Sequence, residues 1–280
     1  MKKILITLSI AIFSLASIAQ EGIDTTEDTG AKNNMTLPKA GDIGVGFDAS
    51  PFLNYVGNMF NGTTNNRLNL NDNTLYFRYF LTGNSAIRAS INLSTYIDIL
   101  KEYVPDDAAI FLDPNSNKQL VDRRIDNWHS YEMKVGYQLY HNHKNFRGFY
   151  GADLGYHFEK YSRVYEYGNQ MTEINSSPTT YWHGNTAVRP LEQKAGIQNS
   201  ISLGAFIGGE YYFMPRVCVG AEFGLAYGMT FEGQGYETQE RMVGTLHVEE
   251  NIARNPGSLN ISMQTQFPYS YGNLYLMFHF

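Results

Sequence analysis

The chain has 280 residues, with 21 Tyr, 17 Phe and 26 Gly, 17% charged residues and a formal net charge of −6. That acidic balance argues against nucleic acid as a partner and against polybasic attachment to anionic lipid. A single cysteine, Cys218, excludes an internal disulfide and argues against structural zinc.

The first residues, MKKILITLSIAIFSLASIAQ, read as a secretory signal. Lys2 and Lys3 form the positive region, Ile4 to Ala16 the apolar region, and Ser17-Ile18-Ala19 supplies small residues at the cleavage positions. The expected mature chain begins at Gln20, and losing two lysines makes it more acidic still. The apolar run is short for a membrane-spanning helix, and no later segment approaches about 18 consecutive apolar residues. Residues 20–39 are polar, acidic and without periodicity, the composition of a flexible periplasmic lead-in.

From residue 40 a two-residue period takes over. Ile43, Val45, Phe47 and Ala49 alternate with Gly44, Gly46, Asp48 and Ser50 until Pro51 interrupts. A polar loop follows. LYFRYFL (75–81) and AIRASINLSTY (86–96) flank a short turn, with Leu75, Phe77, Tyr79, Ile87, Ala89 and Ile91 on one face and Arg78 and Arg88 on the other. Residues 97–127 read as a long polar loop. SYEMKVGYQLY (130–140) and FYGADLGYHFEKY (149–161) form the next pair, joined by HNHKNFRG; Glu132, Lys134, Asp153, His157 and Glu159 fall on the polar face.

A further loop covers about 165–196. In SLGAFIGGEYYFMPRVCVGAEFGLAYG (202–228), two alternating runs meet at Met214-Pro215-Arg216, a tight hairpin connection. Glu210 and Glu222 lie on the face rich in glycine. After a loop near 233–256, in which RMVGTLHVE (241–249) partly alternates and is the candidate for an extra strand, the chain ends in LYLMFHF. Leu274, Leu276, Phe278 and Phe280 share a face there, whereas Ile261, Met263, Phe267, Tyr269 and Tyr271 set the opposite parity upstream. The flip near Gly272-Asn273 implies a bulge, or a strand portion standing clear of a bilayer.

This gives about eight strands whose connections alternate between short turns and long polar loops. The expected fold is all-β, an antiparallel up-and-down transmembrane barrel with short periplasmic turns and long extracellular loops, placed in the outer membrane. A soluble sandwich is the competing architecture, because it also gives strands one oily face.

NTLYFRYFLTGNSAIRASI and LGAFIGGEYYFMPRVCVGAEFGLAYG resemble the small outer-membrane β-barrel proteins common in Bacteroidetes, distantly like the OmpA transmembrane domain and the OmpX family. The resemblance spans roughly residues 40–280 and implies an exported eight-stranded barrel with no single activity. The terminal strand resembles the signal read by the outer-membrane insertion machinery, with Phe278 and Phe280 as its aromatic residues.

An eight-stranded barrel has an interior that side chains fill, and charges pointed inward can pair whereas charges pointed at lipid are costly. Asp48, Arg78, Arg88, Glu132, Lys134, Asp153, Glu210 and Glu222 are therefore expected to form an ion-pair network that closes the lumen, with Lys134 reaching Asp153. The glycines on that face make room for the long side chains. Catalysis is not expected: on parity His129 points away from Ser130, and interior histidines such as His157 read as structural. Asp113, Asn115 and Asn117 resemble the start of a calcium loop, but Lys118 and Arg124 occupy positions that need Gly and Glu, so a solvated turn is the better reading. No cofactor or metal is expected. The expected partners are outer-membrane lipid and lipopolysaccharide, the insertion machinery, and a host or surface ligand met by the loops. The expected function is surface interaction, adhesion or envelope integrity; the alternative is a narrow porin-like channel for small solutes.

Overall fold

Period-two patterning puts β-branched and aromatic residues on one side of each segment, and such segments satisfy their backbone groups by pairing. In the computed structural model, which describes residues 37–49, 51, 74–264 and 273–280, the strands are β1 (Ile43–Asp48), β2 (Leu75–Thr82), β3 (Ser85–Pro105), β4 (Gln119–His143), β5 (Phe146–Glu166), β6 (Val188–Lys194), β7 (Gln198–Met214), β8 (Val217–Glu232), β9 (Tyr236–Val243), β10 (Leu246–Ala253), β11 (Ser258–Gln264) and β12 (Asn273–His279). A short helix, α1 (Asp107–Leu112), is capped by Asp106, whose side chain accepts from the Ala109 amide. The expected signal segment and most of the lead-in lie outside the described residues.

Eight of these strands close an antiparallel ring in the order β1, β2, β3, β4, β5, β7, β8, β12 and back to β1. Closure runs from Gly44 opposite His279 to Asp48 opposite Tyr275. Gly46 is needed there, since a Cβ at that position would stand 2.7 Å from the Leu276 carbonyl oxygen and 3.0 Å from the Met277 methyl. One end of the ring carries the short turns at Gly83-Asn84, Lys144-Asn145 and Pro215-Arg216, together with the start of β1 and the end of β12. Leu37, from the end of the lead-in, packs against the core, and Pro38 beside it is buried.

The opposite end departs from the expected loops. The stretch 97–127 is mostly strand: β3 and β4 stay paired from Ser85–Leu139 up to Pro105–Gln119, leaving only residues 106–118 as a connection. At about 3.3 Å per residue the 25 residues of β4 extend about 80 Å. Above the ring, β6, β9 and β10 continue the sheet from the upper part of β5. RMVGTLHVE is thus not an extra ring strand but the turn region of the β9–β10 hairpin, with Gly244 at φ 61°. The parity flip also finds its cause. From Gln264 to Asn273 the chain advances nine residues, while their partners on β8, Ala226 and Glu222, are four apart. An odd step against an even one exchanges the two faces; the residues between lie outside the described ones.

The raised arm is held by polar contacts. Asp122 accepts from the Gly168 amide, the Thr180 hydroxyl and the Tyr181 amide at 2.6–3.0 Å, which ties the 167–187 connection over the sheet. The Arg189 guanidinium donates to Glu240 at 2.6 Å and to the Asn169 carbonyl at 2.7 Å. Asp126 accepts from Arg163 and from the Tyr161 hydroxyl, and Glu237 accepts from Arg254 and Gln193. Burial alone would raise both carboxyl groups; the hydrogen bonds from those cationic and polar partners hold both below the ordinary carboxylate range. Carboxylates depressed in the folded state add stability above the unfolded value of about 4, and that stability is lost as pH falls through the lower folded values. Acidification from about pH 5 to about pH 2 is therefore predicted to lower amide-exchange protection, relative to the intrinsic rate at each pH, in residues 161–194 and 236–254 more than in the turn-end half of the ring. A uniform loss of protection across both regions would contradict this.

Candidate functional site

The ring's interior is where the sequence concentrates its unusual residues. Period two sends Arg78, Arg88, Glu210 and Glu222 inward from β2, β3, β7 and β8, and the register brings them to neighbouring heights: Arg78 lies opposite Arg88, Glu210 opposite Gly220 and Gly208 opposite Glu222. Arg78 pairs with Glu210, and both are almost wholly enclosed. The other nitrogen of Arg78 donates to the Tyr275 hydroxyl at 2.7 Å, and Tyr275 in turn donates to Glu210 at 2.8 Å. Arg88 grips Glu222 with two parallel bonds of 2.8 and 2.9 Å, the bidentate geometry that suits guanidinium and carboxylate. Asp153 stands 3.8 Å from Arg88, and Asn273 donates to Glu222 at 3.2 Å.

Aromatic rings fill the space around these charges. Arg88 lies over Phe206 with its carbon 3.9 Å from the ring centre, and Arg78 lies near Tyr275 and Phe149 at 4.8 and 5.7 Å. The glycines admit these rings. A Cβ at Gly220 would meet Tyr275 at 2.3 Å, one at Gly208 would meet Phe149 at 2.3 Å, and one at Gly151 would meet Phe206 at 2.6 Å. Gly204 and Gly136 make way for Asp153 in the same fashion. The small face seen in the sequence is thus a set of sockets, chiefly for aromatic side chains and one carboxylate.

The remaining expected members divide. Lys134 pairs with Glu132, two residues away on the same strand, at 2.7 Å rather than with Asp153. Neighbours of the same parity on one strand share a face, and this near contact outcompetes the reach across the hairpin. Asp153 is drawn toward Arg88 instead. Asp48 is half-buried and in register with Tyr275 on the interior face. Phe278 and Phe280 point outward from the terminal strand and are exposed.

One interior group was missed in the sequence. Arg147 is fully buried, donates to Asn142 and to the Gly83 carbonyl at 2.7 Å each, and lies 3.9 Å over Tyr140. Sequence alternation alone leaves it within the HNHKNFRG connection. The signal was its parity with Phe149, since β5 already begins at Phe146. With Phe80, Tyr140, Phe149, Tyr212 and Met277 it forms a packed floor at the turn end.

Toward the other end the interior becomes small and polar. Ser130 and His157 are hydrogen-bonded at 2.9 Å, Ser200 and Thr230 at 2.9 Å, and Trp128 donates to Glu159 at 3.1 Å. A hydroxyl beside an imidazole is the beginning of a nucleophilic site. Here Ser130 and His157 retain only 7% and 4% exposure, which leaves a substrate carbonyl little surface to approach. Among the described residues no group of three or more His, Cys, Asp or Glu is placed to hold a metal ion. Asp113 ends α1 and accepts from the Asn115 amide at 3.0 Å, an Asx turn.

Comparison with protein-family models and with curated protein sequences returns no match for this chain. The geometry itself defines the site: two buried arginine–carboxylate pairs, Arg78–Glu210 joined by Tyr275 and Arg88–Glu222 joined by Asn273, above an aromatic floor. Breaking one partner of such a pair costs about 3–5 kcal/mol, whereas replacing both by apolar residues costs far less. Arg88→Leu alone is therefore predicted to destabilise the fold by about 3–5 kcal/mol in denaturant unfolding. Arg88→Leu with Glu222→Leu should recover most of that loss. A double variant as unstable as the two single losses added together would show that the pairing is not what holds these residues.

Proposed function

We propose that this chain is an integral outer-membrane β-barrel of the small OmpA/OmpX-like kind, non-enzymatic, with its lumen closed by side chains and its raised arm exposed for surface contact. One observation carries the reading: the ring is inverted relative to a soluble core. Leu203 and Phe223 are 63% and 57% exposed on the outside, while Arg78 and Glu210 are sealed inside. Water would penalise that outer surface heavily, at about 25 cal/mol per Å² of apolar area; hydrocarbon would not.

The dimensions fit as well. A tilted strand needs about 9–11 residues to span a bilayer, and outward apolar residues run along β8 from Val217 to Phe231 and along β3 from Ile87 to Leu93. Tyr211, Phe213, Phe278 and Phe280 stand near the turn end, and Tyr131, Tyr156, Phe158 and Phe231 near the other, where aromatic side chains favour the two interfaces. Turns in the periplasm and the arm outside would follow the usual asymmetry of such barrels. The terminal aromatic pair, Phe278 and Phe280, then serves insertion.

A rigid barrel lifting a six-strand arm far above the bilayer suits contact with a surface ligand better than transport. The narrow-channel alternative has to open a path past Arg78, Arg88, Tyr275 and the floor around Arg147. Planar-bilayer recordings separate the two. The wild-type chain is expected to show no steady single-channel current, and Arg78→Ala with Arg88→Ala to produce one. Steady wild-type conductance would favour the channel; a silent double variant that still inserts would show that the floor around Arg147 closes the lumen without the two arginines.

A further inference from the structure

We propose that the outward surface of β3, β4 and β5, at the rim beside the arm, is a binding site for the phosphate of an anionic glycolipid headgroup in the outer leaflet. The inference rests on the membrane reading above and adds a specific lipid contact to it. On this side Leu93, Tyr131 and Phe158 form an outward apolar row, with the Tyr131 and Phe158 rings stacked at 5.9 Å, and a further apolar row, Ile99, Ile125 and Val164, stands higher on the arm. The outward row next above Leu93 is Thr95, His129 and Lys160, adjacent in register across the three strands.

Three polar atoms converge there on the outside. The Thr95 hydroxyl is 3.3 Å from His129 Nδ1 and 3.3 Å from the Tyr131 hydroxyl, which is 3.4 Å from the same Nδ1. These separations are long beside the usual 2.7–2.8 Å between hydroxyl oxygens (roughly), so the donors are only weakly committed to one another. Lys160 is exposed and enters no ion pair among the described residues. Two hydroxyls, an imidazole and an ammonium group in one patch can all donate to phosphate oxygens, and bonds to a charged acceptor are the stronger kind.

Charge sorting on the strands points the same way. Although the chain is acidic overall, no carboxylate faces outward among residues 93–97, 127–131 and 158–162. Asp98, Asp126 and Glu159 lie on the opposite face, and the nearest outward acids, Glu166 and Glu192, are already paired with Arg123 and Lys194. An anion therefore meets donors without repulsion. The apolar row directly beneath would lie along acyl chains, which a free solute anion lacks; this selects a lipid.

The test uses the full chain reconstituted in zwitterionic vesicles doped with lipid A, either bisphosphorylated or dephosphorylated, followed by native mass spectrometry of retained lipid. The wild type should retain the bisphosphorylated form about tenfold more tightly, the worth of one charge-assisted contact. Lys160→Ala with His129→Ala should abolish the preference, while Lys101→Ala, farther up the arm, should leave it intact. Equal retention of both lipids by the wild type, or a preference that survives the double substitution, would overturn the site. Inorganic phosphate binding as tightly as the lipid would overturn the lipid assignment. A chain that fails to float with the vesicles at all would instead defeat the membrane reading.

Discussion

A closed sheet of eight strands leaves an interior just wide enough for its own side chains, and that narrowness governs the rest of the molecule. Any charge placed inside must find, within a few ångströms, either an opposite charge or, as Arg147 does, neutral hydrogen-bonding groups. At about 4 Å and an effective dielectric near 20, two opposite unit charges attract by about 4 kcal/mol, enough to offset burial only when hydrogen bonding is also complete. Arg88 meets this condition through two bonds to Glu222, and Arg78 through Glu210 and Tyr275. The interior glycines follow from the same constraint, because a ring or carboxylate from the facing strand already occupies the space a Cβ would need.

The two ends of the ring then differ for physical reasons. Near the turns, Phe80, Tyr140, Phe149 and Tyr212 crowd around Arg147 and close the interior. Toward the arm, Ser90, Ser130, Ser200 and Ser202 replace them, and the strands continue upward until β3, β4 and β5 act as supports for β6, β9 and β10. Rigidity in the ring and polar ties in the arm, chiefly through Asp122 and Arg189, make the raised sheet a positioned surface rather than a set of loose connections.

Much of this was legible in the sequence because the period-two signal is strongest where one face is apolar throughout. The eight ring strands, the inward parity of Arg78, Arg88, Glu210 and Glu222, and the outward parity of Phe278 all read from alternation alone. The arm did not. In Tyr96–Val104 and Leu120–Asp126 both faces carry charges alongside apolar residues, so the pattern weakens although the pairing persists. Arg147 was hidden by a tight turn among polar neighbours, and the pairing of Lys134 with Glu132 depends on rotamers that parity does not specify. The interrupted last position of the ring, shared by β11 and β12, could be sensed as a parity flip but not located until both segments were placed against β8.

The account stands on the outward face of the ring meeting hydrocarbon. Its most direct test is collision-based accessibility of nitroxide labels at positions 203 and 223, in a chain carrying Cys218→Ser and reconstituted in vesicles, with a label at position 103 on the arm as reference. The account predicts that labels at 203 and 223 collide with dissolved oxygen but are shielded from a water-soluble nickel chelate, whereas the label at 103 shows the reverse. Labels at 203 and 223 that meet the nickel chelate as freely as the arm does would contradict it.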